Sequence, residues 1–210
     1  MICIGITGGI GSGKSYVARL LRDHFDIPVY DCDTEAKRLN NEDPAIREAL
    51  TELIGPQVYD SSGTLVKAVL AEYLFQSEDH ARQVNAIIHP AVYRDFLRWQ
   101  QEQQGGLVAL ESAILYESGF HRFADKVLFI RASEPLRIQR AMKRDGARRK
   151  QIEQRIRRQH VQDFESQADY VIDNENSSRS DLLLQLEQIL CELDDFRKMK
   201  YENPESKIIE

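Results

Sequence analysis

The stretch that most limits what this chain can become runs from Ile2 to Leu21 and reads ICIGITGGIGSGKSYVARLL. Its first six residues are short, β-branched and almost wholly apolar, the pattern of a strand covered on both faces. A turn with four glycines in six residues follows, then Lys14 and Ser15, and then Val17, Leu20, Leu21 and Phe25 recur at helical spacing. Strand, glycine loop and helix in that order match G-x-x-x-x-G-K-[ST] from Gly8 to Ser15. The glycines let successive main-chain N–H groups curl inward, and the positive end of the following helix points at the same spot. Gly8, Gly9, Ile10, Gly11, Ser12, Gly13, Lys14, Ser15 and Tyr16 are therefore expected to cradle a nucleoside triphosphate. Lys14 reaches toward the β- and γ-phosphates, and the Ser15 hydroxyl is placed to ligate Mg²⁺.

The rest of the chain supports one α/β core. IPVYD (27–31), LVALE (107–111), KVLFI (126–130) and DYVID (169–173) are further strand candidates separated by helical patterns, which favours a parallel sheet covered on both sides. A stripe of Leu182, Leu183, Leu186, Ile189, Leu190 and Leu193 forms a closing helix. Two regions break the rhythm. Residues 65–104 read as a helical insertion, and a basic stretch begins after Ser133, which is placed as an N-cap with Pro135 in the first turn. The expected organisation is a core over 1–64, 105–135 and 161–195, an insertion over 65–104, a lid over 136–160, and a frayed tail over 196–210.

Composition narrows the partners. The chain has 210 residues, 30% of them charged, and a net charge of −6. General attraction to nucleic acid is not expected. Between Arg137 and Arg158, however, eight arginines and two lysines face only Asp145 and Glu153, a local charge of +8 that leaves −14 for the remainder. Such segregation asks for an anion. No aromatic residue lies in the stretch to stack bases, so a flap closing over a triphosphate, with Arg140 and Arg144 as contacts, is the better reading than a nucleic-acid patch. Three scattered cysteines without a C-x-x-C fit a reducing compartment. MICIGI lacks the basic start of a signal peptide, and no segment is long enough to span a bilayer, so a cytoplasmic location is expected. The sequence leaves the oligomeric state open.

The fate of the γ-phosphate rests on other residues. No N-K-x-D base-reading motif is present, and DSSG (60–63) reads as a turn before a helix. LVALE ends in Glu111, a carboxylate at a strand end and a metal candidate. Asp31 and Asp33, just after the second strand, are expected in the crevice beyond the carboxyl ends of the strands, where the phosphate loop also lies. One of them suits orienting and deprotonating an acceptor hydroxyl, and the other suits capping the helix that follows.

Five segments in order resemble the dephospho-coenzyme A kinases, P-loop kinases that phosphorylate the ribose 3′-hydroxyl of dephospho-coenzyme A. They are TGGIGSGKS from Thr7, DCDTEAK from Asp31, IIHPAV from Ile87, AILYESGF from Ala113 and QRAMKRD from Gln139. The resemblance implies a P-loop NTPase, nucleoside-monophosphate-kinase-like fold: a parallel five-stranded sheet flanked by helices, with a helical substrate-binding insertion and a basic helical lid. It also implies ATP and Mg²⁺ as donor and cofactor, Asp33 as the general base, Arg140 as a triphosphate contact, and Asp31, Lys37, His89 and Glu117 on the acceptor side. His89 has an equally good reading as a helix-end residue before Pro90, and Glu117 as a brace between loops. The chain departs from the family pattern at Lys37 and Lys67, where arginine is usual, at Tyr16 for threonine, and at Ala113 for proline. Lys37 keeps the charge but loses the bidentate fork. Another small-molecule P-loop kinase, or a nucleotide-dependent switch, shares the loop but not the full set of segments.

Overall fold

The computed structural model describes residues 1–157, 159 and 162–202. Arg158 and His160, at the end of the basic stretch, lie outside the described residues, as do residues 203–210 of the expected tail. The elements follow in the order β1 (Ile2–Thr7), α1 (Lys14–Phe25), β2 (Val29–Asp31), α2 (Cys32–Glu42), α3 (Pro44–Ile54), α4 (Lys67–Gln76), α5 (Glu78–Glu102), β3 (Leu107–Glu111), β4 (Lys126–Arg131), α6 (Glu134–Asp145), α7 (Arg149–Arg157), α8 (Gln162–Glu165), β5 (Tyr170–Asp173) and α9 (Arg179–Glu202). The strands form one five-stranded parallel sheet in the order β2-β3-β1-β4-β5. All five strand candidates are strands, and the α/β fold expected from the sequence is observed.

The chain divides into two compact units, residues 1–29 with 103–210 and residues 30–102. In the first, β1 is buried along its whole length because it is paired on both edges, with β3 on one side and β4 on the other. Its Ile2, Ile4 and Ile6 pack with Val17, Leu20 and Leu21 of α1 and with Leu182, Leu186, Ile189 and Leu193 of α9. The closing-helix stripe is thus core, and each of these fully covered aliphatic side chains contributes about 1.5–3 kcal/mol. The helix continues through Glu202, past residue 196 where fraying was expected. The register sets Ile6 beside Glu111, so the end of β3 lies next to the end of β1, two residues from where the loop begins.

In the second unit, two helix starts are capped by aspartates. Asp31 accepts from the N–H groups of Asp33 and Thr34 to start α2, and Asp43 accepts from Ala45 and Ile46 to start α3. Asp60 accepts from Ser62 and Thr64, so DSSG makes a turn, as read from the sequence. Helices α2 and α5 are joined by a polar cluster around the buried Asp95. Asp95 accepts from Tyr30 Oη at 2.8 Å, Arg38 Nη2 at 2.8 Å and Arg98 Nη2 at 2.6 Å. Burial alone would raise the Asp95 carboxyl, but these three donors outweigh it and hold it below the usual carboxylate range. Residues 65–104, read as a helical insertion, contain α4 and α5.

Candidate active site

The loop after β1 is shaped by backbone conformations that side chains disfavour. Gly11 has φ +80° and Gly13 φ +103°, both in the left-handed region. Gly13 caps α1 with its carbonyl, which accepts from the N–H groups of Tyr16 and Val17 at 3.0 Å each. The sequence places Lys14 as the first helical residue, and the structure agrees.

The basic helix α6 lies directly on this loop. A Cβ on Gly9 would collide with the Arg137 guanidinium, and one on Gly11 with the Arg137 carbonyl. The glycines are thus needed for close approach as well as for curvature. Arg137 Nε is buried without a hydrogen-bond partner among the described residues, and burial lowers the affinity of the guanidinium for its proton. Arg140 donates from Nη1 to the Ser12 carbonyl at 3.4 Å, and Asn174, just past β5, donates from Nδ2 to the same oxygen at 2.7 Å. Lys14 Nζ lies 3.5 Å from the Gly9 carbonyl. Lys14, Arg137 and Arg140 therefore converge on one glycine loop, an arrangement suited to a polyphosphate.

Ser15 Oγ donates to Glu111 Oε1 at 2.6 Å. The carboxylate is only 6% exposed and sits at the tip of β3. A hydroxyl and a carboxylate this close supply hard oxygen donors, the set Mg²⁺ prefers when substrate phosphates and water complete its octahedron. Among the described residues there is no group of three or more His, Cys, Asp or Glu that could hold a metal ion. Ser15 and Glu111 are the residues that could hold such a cation.

The other expected site residues are distributed as follows. Arg144 is drawn into a local ion pair: Asp145 accepts from its Nε at 2.7 Å and from Arg155 Nη1 at 2.7 Å. The Arg144 hydrogen bond, with help from Arg155, holds the Asp145 carboxyl down to about 2. Ser133 occupies the N-cap position of α6, but its side chain makes no cap bond; Oγ donates instead to Glu175 Oε1 at 2.6 Å. Glu117 is exposed in the turns between β3 and β4.

In the second unit, Asp31 is committed as the cap of α2, and Asp33 is exposed in the first turn of that helix. The strand ends at Asp31 and α2 begins at Cys32, so Asp33 projects from the first helical turn. Lys37 is exposed one turn further on. His89 is half-buried and its imidazole is held below its ordinary pKa by burial. It is not at a helix end: α5 runs through Pro90 to Glu102.

Arg137 and Asn174 escaped the sequence reading. Arg137 is the first arginine of the basic stretch, but only the absence of a Cβ at Gly9 and Gly11 reveals that α6 rests there. Nothing in the sequence marks Asn174.

Comparisons with known proteins give the family. Residues 2–180 match the family model described as dephospho-CoA kinase. The chain belongs to the dephospho-CoA kinase family. It is 50% identical over 156 residues to the dephospho-CoA kinase of Porphyromonas gingivalis, covering 74% of this chain and 76% of that one. The crystal structure of TT1252 from Thermus thermophilus superimposes with a TM-score of 0.80 at 33% identity, over 91% of this chain and 97% of that one. A dephospho-CoA kinase from Campylobacter jejuni, 19% identical, shares the fold with a TM-score of 0.64 over 91% of this chain and 96% of that one. Among the described residues no helix is long and apolar enough to cross a membrane.

Proposed function

We propose that the protein transfers the γ-phosphoryl group of ATP to the ribose 3′-hydroxyl of dephospho-coenzyme A, releasing ADP and coenzyme A. The observation that carries this reading is the phosphate loop with Ser15 bonded to Glu111, in a chain of this family. Main-chain N–H groups from Gly8 to Ser15 hold the donor phosphates, and Lys14 neutralises charge passing to the leaving group. Arg137 and Arg140, already on the loop, complete the cation set from α6. Ser15 and Glu111 would hold Mg²⁺, which supplies neutralisation of the phosphate charge when bound.

Asp33 is the acceptor-side base. It accepts the proton of the 3′-hydroxyl as that oxygen attacks phosphorus, and the bond to the β–γ bridging oxygen breaks. Asp33 lies exposed in the first turn of α2, where an acceptor hydroxyl can reach it. Asp31, by capping α2, fixes where Asp33 stands. The helices within 65–104, together with Lys37 and His89, form the acceptor side, and residues 136–160 serve as the lid. The buried thiol of Cys3, pushed up to about 12 by burial and by Asp125, is inert and compatible with a cytoplasmic location.

The test is ADP release with ATP alone, with dephospho-coenzyme A added, and with a panel of nucleosides and nucleotides in its place. Stimulation by dephospho-coenzyme A well above every other acceptor is expected. Stimulation by a nucleoside instead, or an ATP-alone rate that no acceptor changes, would overturn the assignment.

A further inference from the structure

Ile10 stands at a position that G-x-x-x-x-G-K leaves open, in a turn otherwise made of glycines and a serine. An apolar β-branched side chain has nothing to offer a phosphate, and the fold gives it another task. It packs against a small apolar cluster formed by Ile138 and Ala141 of α6 with Ile152 and Ile156 of α7, alongside Met142 and Ala147. The main chain of Ile10 is tied to the same helical pair. Gly9 to Ser12 form a turn closed by the Ser12 N–H, which donates to the Gly9 carbonyl at 3.0 Å, with Gly11 at φ +80° in the third place. That leaves the N–H of the second residue, Ile10, to find an acceptor elsewhere. It donates to Gln159 Oε1 at 2.8 Å. Gln159 is seated in turn by α7, since its own N–H donates to the carbonyl of Ile156, a member of the cluster, at 3.0 Å. The other end of its carboxamide, Nε2, lies 3.5 Å from the carbonyl of Ala113, just beyond Glu111. An N–H on one side and a carbonyl on the other decide which way this amide points.

Ile10 thus meets the α6–α7 pair twice, by its side chain in the cluster and by its amide on Gln159. Arg137 and Arg140 immediately precede Ile138 and Ala141 on α6. Whatever seats Ile138 and Ala141 against Ile10 therefore also seats the Arg137 guanidinium beside Gly9 and Arg140 at the Ser12 carbonyl. We propose that Gln159 is a positioning residue for phosphoryl transfer: together with the Ile10 side chain it sets the register of α6 on the phosphate loop, and so places both arginines where charge develops on the transferring group. The inference rests on the donor-site reading given above and holds for any acceptor hydroxyl. The triphosphate itself is held by Lys14 and the loop amides, so a loss of register acts on the transition state more than on ATP binding. A misplacement of about 1 Å is enough to cost up to about a hundredfold in rate.

The experiment compares Gln159→Met, which keeps the length of the side chain and removes both polar atoms, with Gln159→Glu, which keeps an acceptor oxygen. Hydrogen exchange at the Ile10 amide, read by NMR, reports the tie directly; kcat and the ATP dissociation constant report its use. In Gln159→Met the Ile10 amide should exchange about tenfold faster or more, and in Gln159→Glu it should stay protected. Gln159→Met should lower kcat by about tenfold or more while the ATP dissociation constant moves by less than about threefold. In an Arg137→Ala background the same substitution should lower kcat by less than about threefold, because the arginine it positions is gone. Ile10→Ala, which empties the apolar contact and leaves Gln159 in place, should show the same split and the same coupling to Arg137→Ala, and it carries the test if Gln159→Met fails to fold. An Ile10 amide as protected in Gln159→Met as in the parent, a kcat within about twofold of the parent, or losses that multiply with Arg137→Ala would each overturn the proposal. If the parent does not turn over dephospho-coenzyme A, the acceptor assignment fails, and the same comparisons made on ADP release from ATP alone decide this inference. A parent that does not bind ATP removes the donor site and this inference with it.

Discussion

Replacing Glu111 by glutamine separates charge from shape at the end of β3. The amide keeps an oxygen where Oε1 accepts the Ser15 hydroxyl at 2.6 Å, but it carries no charge in a site only 6% exposed. A hydrogen bond to an ionised partner is worth about 1.5–3 kcal/mol, against about 1 for a neutral pair. The difference sets a floor of about 0.5–2 kcal/mol, or roughly 2- to 30-fold, on the loss. A divalent cation seated on the same carboxylate adds to it, since charges interact strongly at low effective dielectric. Glu111→Gln is therefore expected to raise the Mg²⁺ concentration for half-maximal activity by about tenfold or more and to lower kcat by one to two orders of magnitude. The assay is a Mg²⁺ titration of initial rates at saturating ATP and acceptor, with a melting curve on the same samples. A titration curve that overlays the parent's would refute the metal assignment, whatever happened to kcat.

Three further outcomes follow from particular residues. Asp33→Asn should leave ATP binding nearly intact and lower kcat by about two or more orders of magnitude; full turnover in that variant rules out the base. Gly11→Ala forces a side chain to φ +80° and into the Arg137 carbonyl, at a cost of at least about 1 kcal/mol, so ATP titration should show weakening of about tenfold. Removing Asp95 strips the shared acceptor from Tyr30, Arg38 and Arg98, and Asp95→Ala should destabilise the second unit by about 2 kcal/mol after allowing for the exposure of both arginines. Because the folded Asp95 carboxyl lies below its unfolded value, its contribution is complete above the ordinary carboxylate pKa and disappears as pH falls through the lowered one. Melting temperatures measured from pH 5 downward should thus converge for parent and Asp95→Asn at the acid end.

The phosphate loop, the five strands and the closing helix were legible in the sequence because each is a local matter. An apolar β-branched run, a glycine turn and a leucine stripe obey constraints of sterics and periodicity that act within a few residues. The same holds for Lys14 and Ser15, whose places follow from loop geometry. Asp31 and Asp33 were legible as a pair but not as individuals, since either could cap α2. The hydrogen bonds of Asp31 to the Asp33 and Thr34 amides decided between them.

What the chain's order of residues could not reveal is contact between distant segments. Ser15 and Glu111 are 96 positions apart, and parallel register brings Glu111 alongside Ile6. Arg137 reaches Gly9 only because α6 packs where no Cβ intervenes, and Arg144 is engaged by Asp145, which Arg155 also holds, although its spacing resembles that of Arg140. Asn40 and Asn41 are chemically identical neighbours, yet the Asn41 amide is bonded at both ends while the Asn40 oxygen is buried with no partner among the described residues. Local patterning fixes what each segment is. Which side chain meets which partner is settled by packing and by the need to satisfy every buried polar group, and those are properties of the folded whole.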